Sequence, residues 1–254
     1  MNIVDTLNEK LLTQVFKEED DKTISLAHYQ YMAFMYAQIE NSIAVLSDMK
    51  ANKSFIYNGN VAKVFGLSEQ DNSSEINSIW EEEIFNKIHP DDLLDKHLLE
   101  LQFLNMIKNI PTTERANYHV SSRIRIRNKS NEYIFIKHRM FYISSLPNGS
   151  LWLALCLYNF LDDEYNIDKP ERLIVNSATG EIIKPDNQKS INILTTREKE
   201  ILQLIRKGKM SKEIADLFAI SINTVNRHRQ NILEKLRVNN SHEACRIAEI
   251  MHLI

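Results

Sequence analysis

The spacing of apolar and polar positions divides the chain into segments of different period. Up to residue 40, apolar residues such as Leu7 and Leu11 recur three and four apart, which predicts helices. Beyond residue 41, "SIAVLSDM" and "KSFIYN" predict two short strands, and "GNVAKVFGL" predicts a short helix. Pro90 then begins a long amphipathic helix with acidic residues in its first turn.

Three further strands are predicted behind that helix. In "YHVSSRIRIR" apolar residues alternate with polar and basic ones, so one face is buried and the other is basic. The turn signals "NKSN" and "LPNGS" lead into "EYIFIKHRMFYIS" and "LWLALCLYNF", which completes an antiparallel meander. Residues 162–190 contain two prolines and the turn signal "SATGE", and predict a linker in which "RLIV" and "EII" can pair as a small hairpin.

Residues 191–254 have the pattern of four short helices. Their predicted caps and ends are Thr195 with Glu198, Gly208, Ser221, and Asn240 with Glu243. The fourth helix has an apolar face of Ala244, Ile247, Ala248 and Met251. Because only "AIS" separates the second helix from the third, this all-α segment is predicted to be a helix-turn-helix unit.

The third of these helices carries an unusual mixture of side chains. At 100° per residue, Val225, Ile232 and Leu236 fall on one side and predict the buried face. The opposite side carries Asn223, Asn226, Arg227, Gln230 and Asn231. Amides can bond bidentately to adenine and arginine to guanine, so this face suits the edges of bases.

The alternative for this face is an ordinary solvated helix surface. Such a surface more often carries Glu–Lys pairs four apart, and here only Glu234 interrupts the amides and cations. DNA recognition is therefore favoured. The candidate DNA-binding residues are Asn223, Thr224, Asn226, Arg227, His228, Arg229 and Gln230.

Residues 190–254 closely resemble the LuxR-type (GerE-type) DNA-binding domain. The resemblance rests on "LTTREKEIL", Gly208, "KEIA", "IS", "TV", His228, "KL", Val238 and "EA" at fixed spacing. It implies that the third helix enters the major groove of double-stranded DNA and that two domains pair through the fourth helix. It also places Asn226, Arg227 and Gln230 toward the bases, whereas Thr224, His228 and Arg229 would serve the DNA backbone or the position of the helix.

The chain departs from the family pattern at three positions. Met210 stands where a small polar cap is usual, so Ser211 is expected to take over the capping role. Asn226 replaces a lysine and Ser241 replaces an arginine. The operator sequence of a relative therefore cannot be carried over to this chain.

The order of predicted elements in residues 42–161 resembles the PAS fold, and "IFNKIHPDDLLDKH" is similar to the segment that opens its long helix. The predicted organisation is N-terminal helices at 1–40, a PAS-like sensor or dimerisation domain at 41–161, the linker at 162–190 and the helix-turn-helix domain at 191–254. PAS folds in general hold haem, flavin or metabolites, or serve only as dimer interfaces. The sequence indicates no particular cofactor, so the signal is left open.

Composition adds charge and compartment to this organisation. Residues 190–254 contain 11 lysines and arginines against 7 acidic residues, and the remainder contains 20 against 27, so a basic end follows an acidic body. The two cysteines form no disulfide framework, which favours a reducing cytoplasm. No signal peptide is recognised, and the apolar run at 151–161 is well short of the ~20 residues that span a bilayer.

Catalytic and metal chemistry find little support. His89 and His97 lie near Asp91, Asp92 and Asp95, but acidic residues at a helix start are explained by the helix dipole. His119 and His138 are expected to face each other on neighbouring strands, yet two ligands make no metal site. Cys156 is interpreted as a core thiol. These observations predict no metal site. The sequence also has no phosphate-binding glycine loop and no nucleophile elbow, so no enzyme activity is predicted.

Three hypotheses remain. The leading one is a cytoplasmic, homodimeric transcription regulator with a PAS-like sensor, for which RNA polymerase is a further candidate partner. The second is an interaction module resembling sigma-factor region 4, which opens with a similar "LTxRE" start and binds a transcription partner; the strands at 117–160 argue against it. The third is a ligand-processing enzyme with a DNA-binding appendage.

Overall fold

The computed structural model describes residues 3–16, 25–67, 72–161, 171–183, 194–236, 238, 240–250 and 253–254. The chain divides into two compact units, one of residues 9–185 and the other of residues 186–254 with residues 1–8. Parts of the predicted linker, 162–170 and 184–190, lie outside the described residues, as does Met251 of the predicted fourth-helix face.

The first part of the chain alternates helices with strands of one sheet. Its helices are α1 (Ile3–Leu12), α2 (Leu26–Ile39), α3 (Asn60–Phe65), α4 (Glu82–Phe85) and α5 (Pro90–Ile107), with a short 3-10 helix at Arg115–Asn117. Its strands are β1 (Ile43–Asp48), β2 (Lys53–Asn58), β3 (Ser73–Ile76), β4 (Tyr118–Arg127), β5 (Tyr133–Ser145), β6 (Leu151–Phe160), β7 (Glu171–Asn176) and β8 (Ile182–Ile183).

The eight strands form one antiparallel sheet in the order β3-β2-β1-β6-β5-β4-β7-β8. The five strands predicted from the sequence are confirmed, as is the start of the long helix at Pro90. The hairpin predicted for "RLIV" and "EII" is also present as β7 and β8. Because β7 pairs with β4, this part of the predicted linker extends the sheet.

The strand β3 was not predicted, since "SSEI" has no apolar alternation. Among the described residues it pairs only with β2, at the edge of the sheet, and its first three residues are exposed. An edge strand needs a backbone partner rather than an apolar face, so its sequence carries little signal.

The two faces of the sheet are packed differently. Helix α2 packs Ala33 and Ala37 against a face that includes Leu153, Leu155 and Leu157 of β6. The alternate residues of β6 point to the opposite face, where Phe103 of α5 stacks on Tyr142 of β5 with ring centroids 5.4 Å apart.

Gly59 lets the chain enter α3 beside the end of α2. A Cβ at this position would lie 2.5 Å from the backbone carbon of Asn41 and 2.6 Å from the carbonyl oxygen of Ala37. Such contacts are with backbone atoms that cannot move aside. Only glycine therefore fits.

From residue 194 onward, the described residues form four helices: α6 (Thr196–Arg206), α7 (Ser211–Phe218), α8 (Ile222–Leu236) and α9 (Ser241–Ile250). Helix α8 contacts each of the other three, and α6 also contacts α9. Their apolar faces converge on a small core that includes Ile201, Leu202, Ile214 and Val225. None of the described helices is both long and apolar enough to cross a bilayer.

Candidate nucleic-acid interface

The start and end of α6 are fixed by the residues that the sequence indicated. The Thr195 side chain accepts a hydrogen bond from the Glu198 amide at 3.3 Å, and the Glu198 carboxylate accepts one from the Thr195 amide at 2.7 Å. Gly208 ends the helix with φ +80°, a left-handed conformation that glycine adopts without strain. The predicted capping box and glycine end are confirmed.

The Glu198 carboxylate also ties α6 to α8. It is 2% exposed and accepts a hydrogen bond from Lys235 Nζ at 2.7 Å. Burial alone would raise the pKa of this carboxyl. The bonds from Lys235 and from the Thr195 backbone lower it by more than burial raises it, so the pKa lies below its ordinary value. The contact holds the C-terminal end of α8 against α6.

The N-terminus of α7 is capped without a hydroxyl. The Glu213 carboxylate accepts a 2.7 Å bond from the Met210 amide, while the Met210 side chain is 73% exposed. Ser211 does not take over the capping role, because it is already the first residue of the helix and its hydroxyl accepts a bond from Arg229. That expectation was wrong.

The turn from α7 to α8 is made by an alanine in a left-handed conformation. Ala219 has φ +51° and ψ +44°, values that are strained for any residue with a Cβ. Ser221 then caps α8 as predicted, since its hydroxyl accepts from the Thr224 amide at 3.0 Å and lies 2.9 Å from the Thr224 hydroxyl. Thr224 is thus held at the cap by its own side chain.

Helix α8 buries the predicted apolar stripe. Val225, Ile232 and Leu236 are 0%, 1% and 3% exposed, so the helical wheel is confirmed on this side. Five of the seven candidate DNA-binding residues are exposed, namely Asn223, Thr224, Asn226, Arg227 and Gln230. The Gln230 amide donates to Glu234 at 3.3 Å, which orients it along the helix surface. These five polar side chains are termed the exposed face of α8; Ile222, Glu234 and Lys235 are exposed beside them.

The other two candidates, His228 and Arg229, are partly buried. The Arg229 guanidinium donates to the Ser211 hydroxyl at 3.1 Å and to the Ser241 hydroxyl at 3.0 Å, joining the first residues of α7 and α9 to the middle of α8. Of its two expected roles, this geometry favours helix positioning over a phosphate contact. Among the described residues, His228 Nδ1 has no hydrogen-bond partner although it is buried.

A second group of polar side chains is buried in the unit of residues 9–185, here termed the sheet-containing unit. Lys96 Nζ of α5 donates to Glu100 Oε1 at 2.7 Å, and the Tyr158 hydroxyl donates to Glu81 Oε1 at 2.7 Å. All four residues are at most 5% exposed. Sequence reasoning missed this buried polar group, because its members are far apart in the chain and stand among apolar residues.

The expected pairing of His119 with His138 is wrong. The register of β4 and β5 places His119 opposite Phe141, and His138 opposite Ser122. His138 Nδ1 lies 3.1 Å from the Ser122 hydroxyl inside the core. His119 lies 3.0 Å from the Ser177 hydroxyl instead, and burial together with the charges of Arg139 and Lys137 lowers its pKa to about 4.

The acidic residues at the start of α5 have partners of their own. His89 caps the helix by accepting from the Asp91 amide. Asp92 is 2% exposed and accepts three bonds from Arg125, from its amide at 2.6 Å, its Nε at 2.9 Å and its Nη2 at 2.6 Å. The predicted dipole role left out this ion pair, which joins α5 to β4.

Comparison with known protein families gives a match within the C-terminal unit. Residues 192–248 match the family of bacterial regulatory proteins, luxR family. The chain is 51% identical over 59 residues to the uncharacterized response regulatory protein YgeK of Escherichia coli, covering 23% of this chain and 40% of YgeK. It is 51% identical over 53 residues to the transcriptional regulatory protein DesR of Bacillus subtilis, covering 21% of this chain and 27% of DesR.

A third relative matches over a similar length. The transcriptional regulatory protein LiaR of Bacillus subtilis is 48% identical over 61 residues, which are 24% of this chain and 29% of LiaR. The chain thus spans at most 40% of the length of these three relatives. Residues 192–248 match the luxR family, and the relatives named as transcriptional regulatory proteins match 21% and 24% of this chain.

Solved structures give a weaker likeness over more of the chain. The VqmA dimer of Vibrio cholerae, described as a LuxR-type receptor, covers 89% of this chain and 87% of its own at 14% identity, with a TM-score of 0.32. SdiA of Escherichia coli covers 67% of this chain and 94% of its own at 17% identity, with a TM-score of 0.26.

Proposed function

We propose that the protein is a homodimeric transcription regulator that reads DNA sequence with the exposed face of α8. One observation carries the proposal: within a luxR-type segment, α8 buries three apolar residues and presents three amides, a hydroxyl and a guanidinium on its outer side. Side chains of these types make the hydrogen bonds by which major-groove base edges are distinguished.

The residue roles follow from exposure and bonding. Asn226, Arg227 and Gln230 are proposed to contact bases, and Asn223 lies one turn earlier on the same exposed face. Thr224, fixed at the cap by Ser221, is proposed to contact the DNA backbone. These five are the proposed contact set. Arg229 and His228 are proposed to hold α8 in place rather than to touch DNA.

Self-association is proposed through α2 of the sheet-containing unit, alongside the α9 pairing that the family resemblance implies. Five large apolar side chains of α2 are between 36% and 72% exposed, namely Tyr31, Met32, Phe34, Tyr36 and Ile39. A second copy of the chain is the proposed partner for this surface, since a two-fold pair of α8 helices would match a two-fold symmetric site.

The dimer is tested by sedimentation of the full chain. Ile39→Asp with Tyr31→Asp should shift the protein toward monomer, because two charges would be placed in an apolar interface. Tyr133→Asp is the matched control, since Tyr133 is 47% exposed on β5. Dimer that survives the α2 variant unchanged would contradict this part of the proposal.

The sheet-containing unit is proposed to be a PAS-like sensor. The element order on which that resemblance rests is present: β2-β1-β6-β5-β4 are consecutive in the sheet, and α5 lies between β2 and β4 in the chain. The polar side chains buried beneath α5 offer a place where a signal can act. The proposed mechanism is that the signal changes the geometry of the dimer and residues 162–190 transmit the change to the recognition helices.

The function is tested by selecting genomic DNA fragments with full-length protein at physiological salt. Enrichment of a few two-fold symmetric sites is expected, and Asn226→Ala with Arg227→Ala should abolish it. Lys207→Ala is the control, because it also removes one exposed cation, but at the end of α6. Equal loss with the control variant would mean that charge alone binds the DNA.

A further inference from the structure

We propose that Glu100, His138 and Cys156 form a binding site for a divalent transition-metal ion of the zinc class. One ligand atom from each residue lies within 4.8 Å of the other two. The side chains are 5%, 0% and 7% exposed, so all three potential donors are buried. A carboxylate oxygen, an imidazole nitrogen and a thiolate sulfur are the donor types that zinc binds in proteins.

The fold brings these residues together from three elements. In the β5–β6 register, Cys156 pairs with Met140 and Tyr158 pairs with His138. His138 and Cys156 are therefore diagonal neighbours on one face of the sheet, because residues two apart on a strand share a face. Glu100 reaches the same place from α5, which covers that face. The ligands come from a helix and two strands, which makes the site rigid.

The orientation of His138 gives an independent reason to expect an ion. Its Nδ1 lies 3.1 Å from the Ser122 hydroxyl, and Ser122 is itself 3% exposed. Its Nε2 is buried and has no hydrogen-bond partner among the described residues. Metal-binding histidines characteristically have one ring nitrogen held by a second residue while the other binds the ion. Such an ion would satisfy Nε2, which otherwise remains a buried polar atom at a cost in free energy.

The charges in this part of the core are compatible with a divalent ion. Lys96 binds Oε1 of Glu100, which leaves the second carboxylate oxygen as a ligand, since an ionised carboxylate has two acceptor oxygens. Glu81, which accepts from Tyr158, offsets the charge of Lys96. The two charges of the ion are then balanced by the Glu100 carboxylate and the Cys156 thiolate. The Cys156 thiol proton is released to solvent when the sulfur–metal bond forms.

The spacing requires only a small adjustment. Tetrahedral zinc with donors at about 2.0–2.3 Å brings those donors to within roughly 3.3–3.8 Å of one another. Donor atoms within 4.8 Å of one another reach this by side-chain shifts of about 1 Å. Three protein ligands also leave one coordination position for water or a small molecule.

The test is titration of the full chain with Co²⁺, which replaces Zn²⁺ and gives a thiolate-to-cobalt charge-transfer band in the near ultraviolet. Both cysteines are free, so the Cys245→Ser chain contains Cys156 as its single thiol. We expect one Co²⁺ per chain and a full charge-transfer band in that variant, displaced by Zn²⁺. Cys156→Ser should lose the band. Ser122→Ala should keep it but weaken affinity by about tenfold, the usual effect of removing a residue that orients a ligand.

The proposal is overturned if wild-type protein gives no charge-transfer band, either after dialysis against Co²⁺ or after refolding in its presence. It is also overturned if the band disappears in Cys245→Ser, which would assign the bound ion to the other thiol. His119→Gln is the matched histidine control and should bind Co²⁺ normally. His119 is paired with Phe141 and therefore lies on the opposite face of the sheet from His138. Because no step of this test involves DNA, its outcome is separate from that of the proposed regulatory function.

Discussion

Replacing Arg229 distinguishes a positioning residue from a phosphate contact. The structure gives its guanidinium two bonds, to Ser211 at 3.1 Å and to Ser241 at 3.0 Å, which link α8 to the starts of α7 and α9. Hydrogen bonds to charged groups contribute about 1.5–3 kcal/mol net. Because this guanidinium is partly exposed, a smaller contribution of about 1 kcal/mol is expected from each bond. Arg229→Ala should therefore lower the free energy of unfolding of this unit by about 2 kcal/mol.

The assay is hydrogen exchange of the α8 amides in the full chain, which reports opening of this unit alone. A loss of about 2 kcal/mol predicts exchange that is roughly 30-fold faster. Arg229→Lys keeps the charge but cannot make both bonds, so it should behave like Arg229→Ala. Ser211→Ala and Ser241→Ala should each give about half of the effect, and neither should add fully to Arg229→Ala.

A phosphate contact predicts the opposite pattern. Arg229→Lys would then leave exchange and DNA affinity nearly unchanged, whereas Arg229→Ala would reduce the salt dependence of DNA binding by about one counterion. The positioning role would be refuted if the α8 amides exchanged at the wild-type rate in both Arg229 variants and Arg229→Ala had the reduced salt dependence of DNA binding.

Three further predictions concern stability. Ala219→Gly should raise the unfolding free energy by about 0.5–1 kcal/mol in thermal unfolding, because the left-handed conformation at φ +51° is strained for alanine; a lower melting temperature would contradict this. Asp92→Asn should cost about 2–3 kcal/mol in urea unfolding, since the buried carboxylate accepts three bonds from Arg125, and an effect below 0.5 kcal/mol would show that the pair is not formed in solution. Burial, aided by the charge of Lys96, lowers the pKa of His97 to about 3 in the folded protein. Below pH ~6.5 the unfolded chain therefore binds a proton that the folded protein does not. The free energy of unfolding falls as the pH drops from there toward 3. His97→Gln should reduce that pH slope by about 1.4 kcal/mol per pH unit, and an unaltered slope would refute it.

Local patterns predicted most of the elements, because caps and alternation act between near neighbours in the chain. Thr195 with Glu198, Gly208 and Ser221 set helix ends that the structure reproduces, and the stripe of α8 is buried as its period indicates. Pro90 likewise begins α5. Each of these features is decided within a few residues of sequence.

Features that depend on register or on distant partners were missed or misassigned. The pairing of β4 with β5 decides that His138 meets Ser122 rather than His119, and a shift of one residue would have reversed the faces. Arg229 meets Ser241 only because α7, α8 and α9 converge. The cluster of Glu100, His138 and Cys156 spans two strands and a helix, so no spacing in the sequence marks it.

Base reading by the exposed face of α8 is tested by comparing the specific and nonspecific DNA affinities of Arg227→Ala with those of the wild type at fixed salt. If Arg227 contacts a base, the variant loses about 1–3 kcal/mol of binding free energy on the selected site, while its nonspecific binding falls only as much as in Lys207→Ala. An equal loss on both kinds of DNA would make Arg227 a phosphate contact and contradict base reading. Unchanged affinity on both would exclude Arg227 from the interface and would likewise contradict its proposed base contact.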